Sequence, residues 1–154
     1  MMLRAVLTIA LLAVSAQLHA ACEHNYSVNA GATVKDGGSG LLWSRCLLGQ
    51  PGGDCAGDAL SMSWVDALNQ ARGSELGGII NWRMPKIEEI EQLFVIKPDC
   101  LAEMFPGFGG ALIWSASANI DYATDAWAFE VEAGKRAVYA RDSKLQVLLV
   151  AGPK

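Results

Sequence analysis

The chain has 154 residues and a formal net charge of −4, with 12 basic residues against 16 acidic ones. Its longest basic run is Lys135-Arg136, so neither nucleic acid nor an anionic membrane surface is an expected partner. The length suits one domain with its own hydrophobic core.

The first 20 residues have the pattern of a secretory signal peptide. Arg4 supplies a positive start, residues 5–16 form an apolar stretch of 12 residues, and Leu18 and Ala20 occupy plausible −3 and −1 cleavage positions. A membrane-spanning helix needs ~20 apolar residues, so membrane insertion is not expected. Residues 1–20 are expected to be removed on export.

Residues 21–154 are expected to form a single domain that is periplasmic or secreted. Loss of Arg4 leaves 11 basic residues against 16 acidic ones, a net charge of −5. Lipidation of Cys22 is an alternative to simple cleavage. It is the weaker one, because His19 stands where a lipobox carries an aliphatic residue.

All four cysteines, Cys22, Cys46, Cys55 and Cys100, lie after the signal peptide. An even number in an exported chain predicts two disulfides, with three possible connectivities. We favour Cys46–Cys55, which closes a short loop rich in glycine and proline, together with Cys22–Cys100. A zinc site is disfavoured, because there is no C-x-x-C pair and the only histidine after residue 20 is His24.

Two helices are predicted in the first half of the domain. The first covers Trp64–Arg72, with Ser63 as N-cap, Asp66 in the capping-box position and Gly73 at its end. The second follows Asn81-Trp82-Arg83-Met84-Pro85 and runs to about residue 95, before Lys97-Pro98. Proline is tolerated in a first helical turn, and Pro85 is expected there.

The remaining segments predict strands and loops. Residues 112–117, 125–132, 136–141 and 145–150 are expected strands, preceded by short extended pieces within residues 26–36 and 41–46. Residues 100–111 are expected to be irregular. Two helices followed by a β-meander indicate an α+β domain in which the helices pack on an antiparallel sheet.

An ordered set of short motifs resembles the Lcl C-terminal domain family, a group of exported bacterial domains with a C-type-lectin-like fold. The motifs are Gly40-Leu41-Leu42-Trp43-Ser44-Arg45-Cys46, Gly49-Gln50, Cys55-Ala56-Gly57, Trp64-x-x-Ala67-Leu68, Asn81-Trp82-Arg83-Met84-Pro85 with Glu88-Glu89-Ile90, Phe105-Pro106, Trp114-Ser115-Ala116-Ser117 and Ala126-Trp127. The resemblance covers about residues 26–150. It implies a disulfide-stapled C-type-lectin-like fold and supports the Cys22–Cys100 pairing.

One departure from the family pattern bears on the ligand. Members usually end in a strand of the form Val-Arg-x-Val-Arg, whereas this chain has Val147-Leu148-Leu149-Val150-Ala151. Some members are linked to adhesion to sulfated glycans, which requires basic residues. The acidic chain without those arginines is not expected to bind that class of ligand.

The tryptophans and Arg83 have both a functional and a structural interpretation. The five tryptophans could stack on sugar rings, but apolar neighbours favour core packing for at least four of them. Arg83 could bind an anionic ligand. Pairing with a helix carboxylate such as Glu88, or with backbone carbonyls, is the favoured interpretation.

The sequence does not predict an enzyme, and no catalytic residue is assigned. Glu88, Glu89 and Glu91 lie on one helix, whereas glycoside hydrolysis needs two carboxyls facing each other across a cleft. They are expected to form a solvated face. His24 lies beside Cys22 near the start of the mature chain, so a Ser/His or Cys/His pair is not expected.

No cofactor is expected, with calcium as an open possibility. The segment from Asn119 to Asp125 carries suitable oxygen ligands. It lacks the Glu-Pro-Asn or Gln-Pro-Asp tripeptide of calcium-binding C-type lectins, and no Trp-Asn-Asp follows. An ordinary polar connection between strands explains it equally well, and no metal ligand is assigned.

Two functional hypotheses remain. The first is an exported, non-enzymatic recognition domain that binds a protein or a glycan through its loops. The second is a periplasmic immunity protein that inhibits a cell-wall-degrading effector by inserting an acidic loop into its basic active-site cleft. The candidate binding residues for either are Phe108, Asp121, Tyr122 and Asp125.

Overall fold

A computed structural model describes residues 25–30, 32–51 and 53–152 and shows an α+β architecture over them, which confirms the expected class. The helices are α1 (Trp64–Arg72), α2 (Ile87–Leu93) and α3 (Pro98–Met104). The strands are β1 (Tyr26–Asn29), β2 (Thr33–Asp36), β3 (Leu42–Ser44), β4 (Ser61–Met62), β5 (Leu112–Ala118), β6 (Asp125–Glu130), β7 (Lys135–Ala140), β8 (Leu145–Gln146) and β9 (Val150–Ala151). The signal-peptide prediction for residues 1–20 and the Cys22 end of the predicted pairing lie outside the described residues.

The strands form two sheets, which corrects the expectation of one antiparallel sheet. The first has the order β1-β2-β3-β9 and is antiparallel throughout. The second has the order β4-β8-β5-β6-β7 and is mixed, because β8 runs parallel to β5 while the other pairs are antiparallel.

The apolar segment 145–151 explains the division into two sheets. Residues 145–150 were expected to be one inner strand, but β8 pairs in the second sheet and β9 pairs with β3 in the first. Val147 and Leu149 belong to a core that includes α1, whereas Leu148 and Val150 belong to a second core that includes α2 and α3. Both faces of the segment are therefore buried, and its sequence shows no polar alternation.

Helix α1 has the capping interactions that its sequence predicts. Ser63 is the N-cap, and its hydroxyl oxygen accepts a hydrogen bond from the backbone N–H of Asp66 at 3.4 Å. The same hydroxyl donates to the Asp66 carboxylate at 2.6 Å. Ala67 and Ala71 are fully buried, and Gly73 ends the helix.

The prolines before α2 and α3 act differently from the sequence expectation. Lys86 is the N-cap of α2, so Pro85 precedes the helix and lies outside its first turn. Pro98 was expected only to end the preceding helix, but it also begins α3. Proline is favourable at the first helical position because its fixed φ suits a helix and its missing N–H has no partner there. Both predicted helices are therefore present, but α3 is a third that was not predicted. The segment expected to be irregular, residues 100–111, is irregular only after α3, from residue 105.

The Cys46–Cys55 disulfide is present, as predicted, with a Cα–Cα distance of 5.1 Å. Cys100 is also disulfide-bonded. Among the described residues, none of the helices has the length and apolar character needed to cross a membrane.

Candidate functional site

The connection between β5 and β6, residues 119–124, carries the most exposed large apolar side chain of the described chain. We call these residues the β5–β6 loop. Ile120 is 93% exposed and Tyr122 is 65% exposed, with the exposed Asp121 between them. Sequence reasoning described this loop as polar and missed Ile120, although an isoleucine inside a polar turn was the available signal. Exposed apolar side chains concentrated in one loop mark a candidate interaction site.

Hydrogen bonds within the β5–β6 loop and to its first flanking residue, Asp125, fix the backbone. The N–H of Asn119 donates to the carbonyl of Asp125 at 3.1 Å, and the N–H of Asp125 donates to the carbonyl of Tyr122 at 3.0 Å. The buried Asn119 side-chain oxygen accepts from the N–H of Asp121 at 3.1 Å. Asparagine commonly stabilises turns in this way. The loop therefore presents Ile120 and Tyr122 from an ordered backbone.

Arg141, immediately after β7, connects the end of the loop to α1. Its Nε donates to the carbonyl of Asp125 at 3.0 Å, and its backbone N–H donates to the carbonyl of Thr124 at 2.9 Å. The guanidinium carbon lies 4.4 Å from the centroid of the Trp64 ring, in cation–π geometry. The indole N–H of Trp64 in turn donates to the carbonyl of Ser115 at 2.8 Å. Nothing in the sequence singled out Arg141, because its contact with Trp64 joins residues that are far apart in the chain.

The structure brings three of the four predicted binding residues together and separates the fourth. Asp121 and Tyr122 lie in the β5–β6 loop, and Asp125 closes it. Phe108 precedes β5, at the opposite end of that strand, and is only 3% exposed. Its ring packs at 4.7 Å from that of Phe105, within the core that includes α2 and α3. The expectation that Phe108 presents an aromatic ring to a ligand is therefore wrong, because the Phe108 ring is buried in that core.

Arg83 and its neighbour Trp82 have structural roles, as favoured from the sequence. Trp82 is 2% exposed and donates its indole N–H to the carbonyl of Leu76 at 2.9 Å. Arg83 pairs through its backbone with Val150 and through its guanidinium with Glu89, rather than with Glu88. All five tryptophans pack against one of the two cores, including the half-buried Trp64 and Trp127, which confirms the packing interpretation.

The carboxylates of α2 differ in environment, so the expected uniform solvated face is only partly correct. Burial raises the pKa of Glu89, but hydrogen bonds from Arg83 and the Lys86 backbone, together with the two positive charges, outweigh it and hold the pKa below its ordinary value. Glu91 accepts a hydrogen bond from the Arg136 Nε at 2.6 Å. Glu88 is exposed. Two of the three carboxylates therefore already serve as ion-pair partners.

Within the described parts of the chain, no three histidine, cysteine or acidic side chains form a group that could hold a metal ion. The expectation of no cofactor, with calcium at residues 119–125 as an open possibility, stays a prediction from the sequence. The Thr124 hydroxyl donates to an Asp125 carboxylate oxygen at 2.9 Å.

A model of the Lcl C-terminal domain family matches residues 32–151. The matched region spans both cores, the disulfide and the β5–β6 loop, and it confirms the resemblance seen in the sequence motifs. A search of curated proteins finds no match to the chain.

Proposed function

We propose that this chain, which belongs to the Lcl C-terminal domain family, is an exported, non-enzymatic binding domain with a C-type-lectin-like fold that recognises a protein through its β5–β6 loop. The observation that carries the proposal is the 93% exposure of Ile120 beside the 65% exposed Tyr122. Export is proposed from the signal-peptide pattern of residues 1–20 and is compatible with the Cys46–Cys55 disulfide.

The chemistry of the loop favours a protein ligand over a glycan. An isoleucine side chain neither donates nor accepts a hydrogen bond, so it adds little to the recognition of sugar hydroxyls. Burying such a side chain in an apolar pocket of a partner contributes about 1.5–3 kcal/mol. Tyrosine is enriched at the energetically dominant positions of protein interfaces. Ile120 and Tyr122 together therefore suit a protein surface with an apolar pocket.

The ordered backbone of the loop supports the same proposal. Its hydrogen bonds to Asn119 and Asp125 and the contact with Arg141 hold it before any partner arrives. Association costs conformational entropy when a flexible loop must be ordered, and a pre-organised loop avoids much of that cost.

Inhibition of a cell-wall-degrading enzyme is the second candidate function. An ordered loop with Asp121 between two apolar side chains has the character of a segment that enters an enzyme cleft. The net charge of −5 expected after removal of residues 1–20, with 11 basic against 16 acidic residues, would speed association with a basic active site. In this form of the proposal, the partner is an exported hydrolase, and the β5–β6 loop prevents the hydrolase's substrate from entering its active-site cleft.

The test is affinity capture from a periplasmic extract with immobilised mature protein. The wild type is compared with an Ile120→Ser/Tyr122→Ala variant and with Val95→Ser, a control that removes a 79% exposed apolar side chain outside the loop. We expect one stoichiometric protein retained by the wild type and by Val95→Ser and lost by the loop variant. Retention by the loop variant, or retention of the domain on glycan or cell-wall resin alone, would contradict the proposal.

The captured protein then separates the two candidates. An inhibitor predicts that the purified partner hydrolyses cell-wall material and that the wild type, but not the loop variant, suppresses this activity at equimolar concentration. A partner without hydrolase activity supports recognition without inhibition.

A further inference from the structure

Strand β7 forms an open edge of the second sheet. It is the last strand in the order β4-β8-β5-β6-β7 and, among the described strands, pairs with β6 alone. The opposite edge strand, β4, has two residues, whereas β7 has six. A long edge strand presents a row of backbone N–H and C=O groups to which another strand can add. Proline is absent from β7, and its register with β6 is continuous, without a bulge.

The pairing of β7 with β6 determines which backbone groups face outward. Just beyond the end of β7, the Arg141 N–H donates to the Thr124 carbonyl at 2.9 Å, in register with the ladder. Hydrogen-bonded and non-hydrogen-bonded pairs alternate along an antiparallel ladder. The odd-numbered residues of β7 therefore direct their backbone groups at β6, and the even-numbered residues direct theirs outward. No hydrogen bond from another described residue reaches the backbone of Arg136 or Val138, so these two residues present four unpaired groups.

The charged side chains of β7 do not protect this edge. Charged side chains on an edge strand, lysine above all, normally discourage the addition of a second strand. In β7, however, the Arg136 Nε donates to Glu91 at 2.6 Å, and its guanidinium carbon lies 5.7 Å from the centroid of the Trp127 ring. The Lys135 ammonium lies 3.9 Å from the Glu130 carboxylate. Both cations are therefore held by partners within their own chain.

We propose that β7 pairs antiparallel with β7 of a second copy of this chain, about a twofold axis at Ala137. In this register Arg136 lies opposite Val138 of the second copy, so the four outward-facing backbone groups of each chain are all paired. Lys135 lies opposite Tyr139 of the second copy, and no like charges face each other. The two five-stranded sheets join into one sheet of ten strands.

Charge selects this register over its neighbours. Outward-facing residues must lie opposite one another to exchange hydrogen bonds, so the register moves only in steps that keep even-numbered residues paired. One step in the first direction places Arg136 opposite its own copy, and one step in the other places Lys135 opposite Arg141. Like charges directly opposite each other destabilise strand pairing. A further step would use the Ala140 carbonyl, which already accepts from the Ser143 N–H at 3.0 Å. The edge is therefore self-complementary, which favours a second copy as its occupant.

The first measurement is sedimentation equilibrium of the mature protein between about 5 and 500 µM, because pairing through one edge is expected to give a small interface and a micromolar dimer. We expect a reversible rise from monomer to dimer mass. Amide hydrogen exchange at both ends of this range then locates the contact. The amides of Arg136 and Val138 are expected to exchange more slowly at the higher concentration. Those of Ala137 and Tyr139, which face β6, are expected to be protected at both.

Charge variants at Val138 test the register. Val138→Lys places a lysine opposite Arg136 of the second copy and is expected to raise the dissociation constant by at least about tenfold. Val138→Glu removes the same apolar side chain but brings opposite charges together. It is therefore expected to dimerise at least about tenfold more tightly than Val138→Lys. The matched control is Val65→Lys, which makes the same change of charge at a 55% exposed valine on α1 and is expected to dimerise like the wild type.

A monomer throughout the concentration range, or exchange at Arg136 and Val138 that does not depend on concentration, would overturn the proposal. Equal dissociation constants for the two Val138 variants would also overturn it. Protection of these amides that appears only after addition of a periplasmic extract would assign the edge to a foreign strand instead of a second copy. The exchange measurement uses the wild type, so it decides the proposal even if the Val138 variants are unstable.

Dimerisation through β7 is separate from recognition through the β5–β6 loop. Ile120→Ser/Tyr122→Ala is expected to dimerise like the wild type, because neither side chain lies on β7. Loss of partner capture by that variant and loss of dimerisation by Val138→Lys are therefore independent results. Loss of dimerisation in the loop variant would contradict pairing through β7.

Discussion

Arg83 and Glu89 form a bidentate ion pair, with Nη1–Oε2 and Nη2–Oε1 distances of 2.8 and 2.7 Å. Their side chains are 20% and 18% exposed. The Glu89 carboxylate also accepts the backbone N–H of Lys86 at 2.8 Å, which caps the start of α2. The pair therefore joins the segment before α2, which is hydrogen-bonded to Val150, to the helix itself.

Replacing Glu89 with glutamine is expected to lower the free energy of unfolding at pH 7 by about 1.5–3 kcal/mol, because a charge-assisted bidentate contact is lost. Urea denaturation measures the change. Glu88→Gln is the matched control on the same helix turn, since Glu88 is exposed, and is expected to change stability by less than about 0.5 kcal/mol. Equal effects of the two variants would contradict the structural role of the pair.

The same pair predicts a pH dependence. The folded-state pKa of Glu89 is lowered, so the unfolded state binds the proton more readily. The stabilisation is fully present above the unfolded-state pKa and is lost as the pH falls through the lower folded-state pKa. The stability difference between wild type and Glu89→Gln is therefore expected to shrink on acidification. A difference that stays constant from neutral pH to about pH 2 would be incompatible with this linkage.

Gly107 is required by a close approach between two loops. A Cβ at this position would clash with the Gln50 side-chain oxygen and would lie 2.9 Å from the Cys55 Cβ. Gln50 cannot move freely, since it accepts from the Leu47 N–H and donates to the Gly57 carbonyl. Gly107→Ala is expected to destabilise the protein by about 1–3 kcal/mol in thermal or urea unfolding.

Gly109→Ala is the control for that prediction, because a Cβ there meets nothing within 4 Å. Its expected effect is below about 0.5 kcal/mol. If both alanine variants were equally stable, the approach of the two loops would not be a packing constraint.

The Cys46–Cys55 disulfide closes a loop with a sequence separation of 9. On the chain-entropy model, removing it with Cys46→Ser/Cys55→Ser is expected to cost about 3 kcal/mol. Urea denaturation of the variant, compared with the oxidised wild type, checks the value. Unchanged stability would show that the bridge does not restrict the unfolded chain as expected.

Arg141 is expected to control the order of the β5–β6 loop. Arg141→Lys keeps the charge but loses the Nε donation to Asp125 and the planar contact with Trp64. The loss of one hydrogen bond, about 0.5–1.5 kcal/mol, predicts faster amide hydrogen exchange at Asn119 and Asp125 by up to about tenfold. Arg72→Lys, an exposed control on α1, is expected to leave these amides unchanged. Unaltered amide exchange at Asn119 and Asp125 in Arg141→Lys would contradict the expectation that Arg141 orders the β5–β6 loop.

Local sequence signals predicted the elements whose stabilisation is local. The Ser63–Asp66 capping pattern located α1, and the alternation of Trp127 and Phe129 with smaller residues located β6. Glycine and proline around Cys46 and Cys55 pointed to the loop that the disulfide closes. In each case, the residues that determine the structure are neighbours in the chain.

Features that depend on distant contacts were not predictable in the same way. Helix α3 begins at Pro98, which the sequence predicted only as the end of the preceding helix, and it is buried against another part of the chain. Residues 145–151 are apolar on both faces, so their sequence does not reveal where they leave one sheet for the other. The burial of Phe108 and the contact of Arg141 with Trp64 arise only after the sheets are assembled.

The most direct test of the central claim is the affinity of the purified partner for the Ile120→Ser/Tyr122→Ala variant, measured by calorimetry beside wild type and Val95→Ser. Loss of two apolar contacts predicts at least a hundredfold weaker binding by the loop variant, since each contributes on the order of 1.5–3 kcal/mol. Val95→Ser is expected to bind like wild type, and all three proteins are expected to unfold at the same temperature within about 2 °C. Wild-type affinity in the loop variant would contradict recognition through the β5–β6 loop.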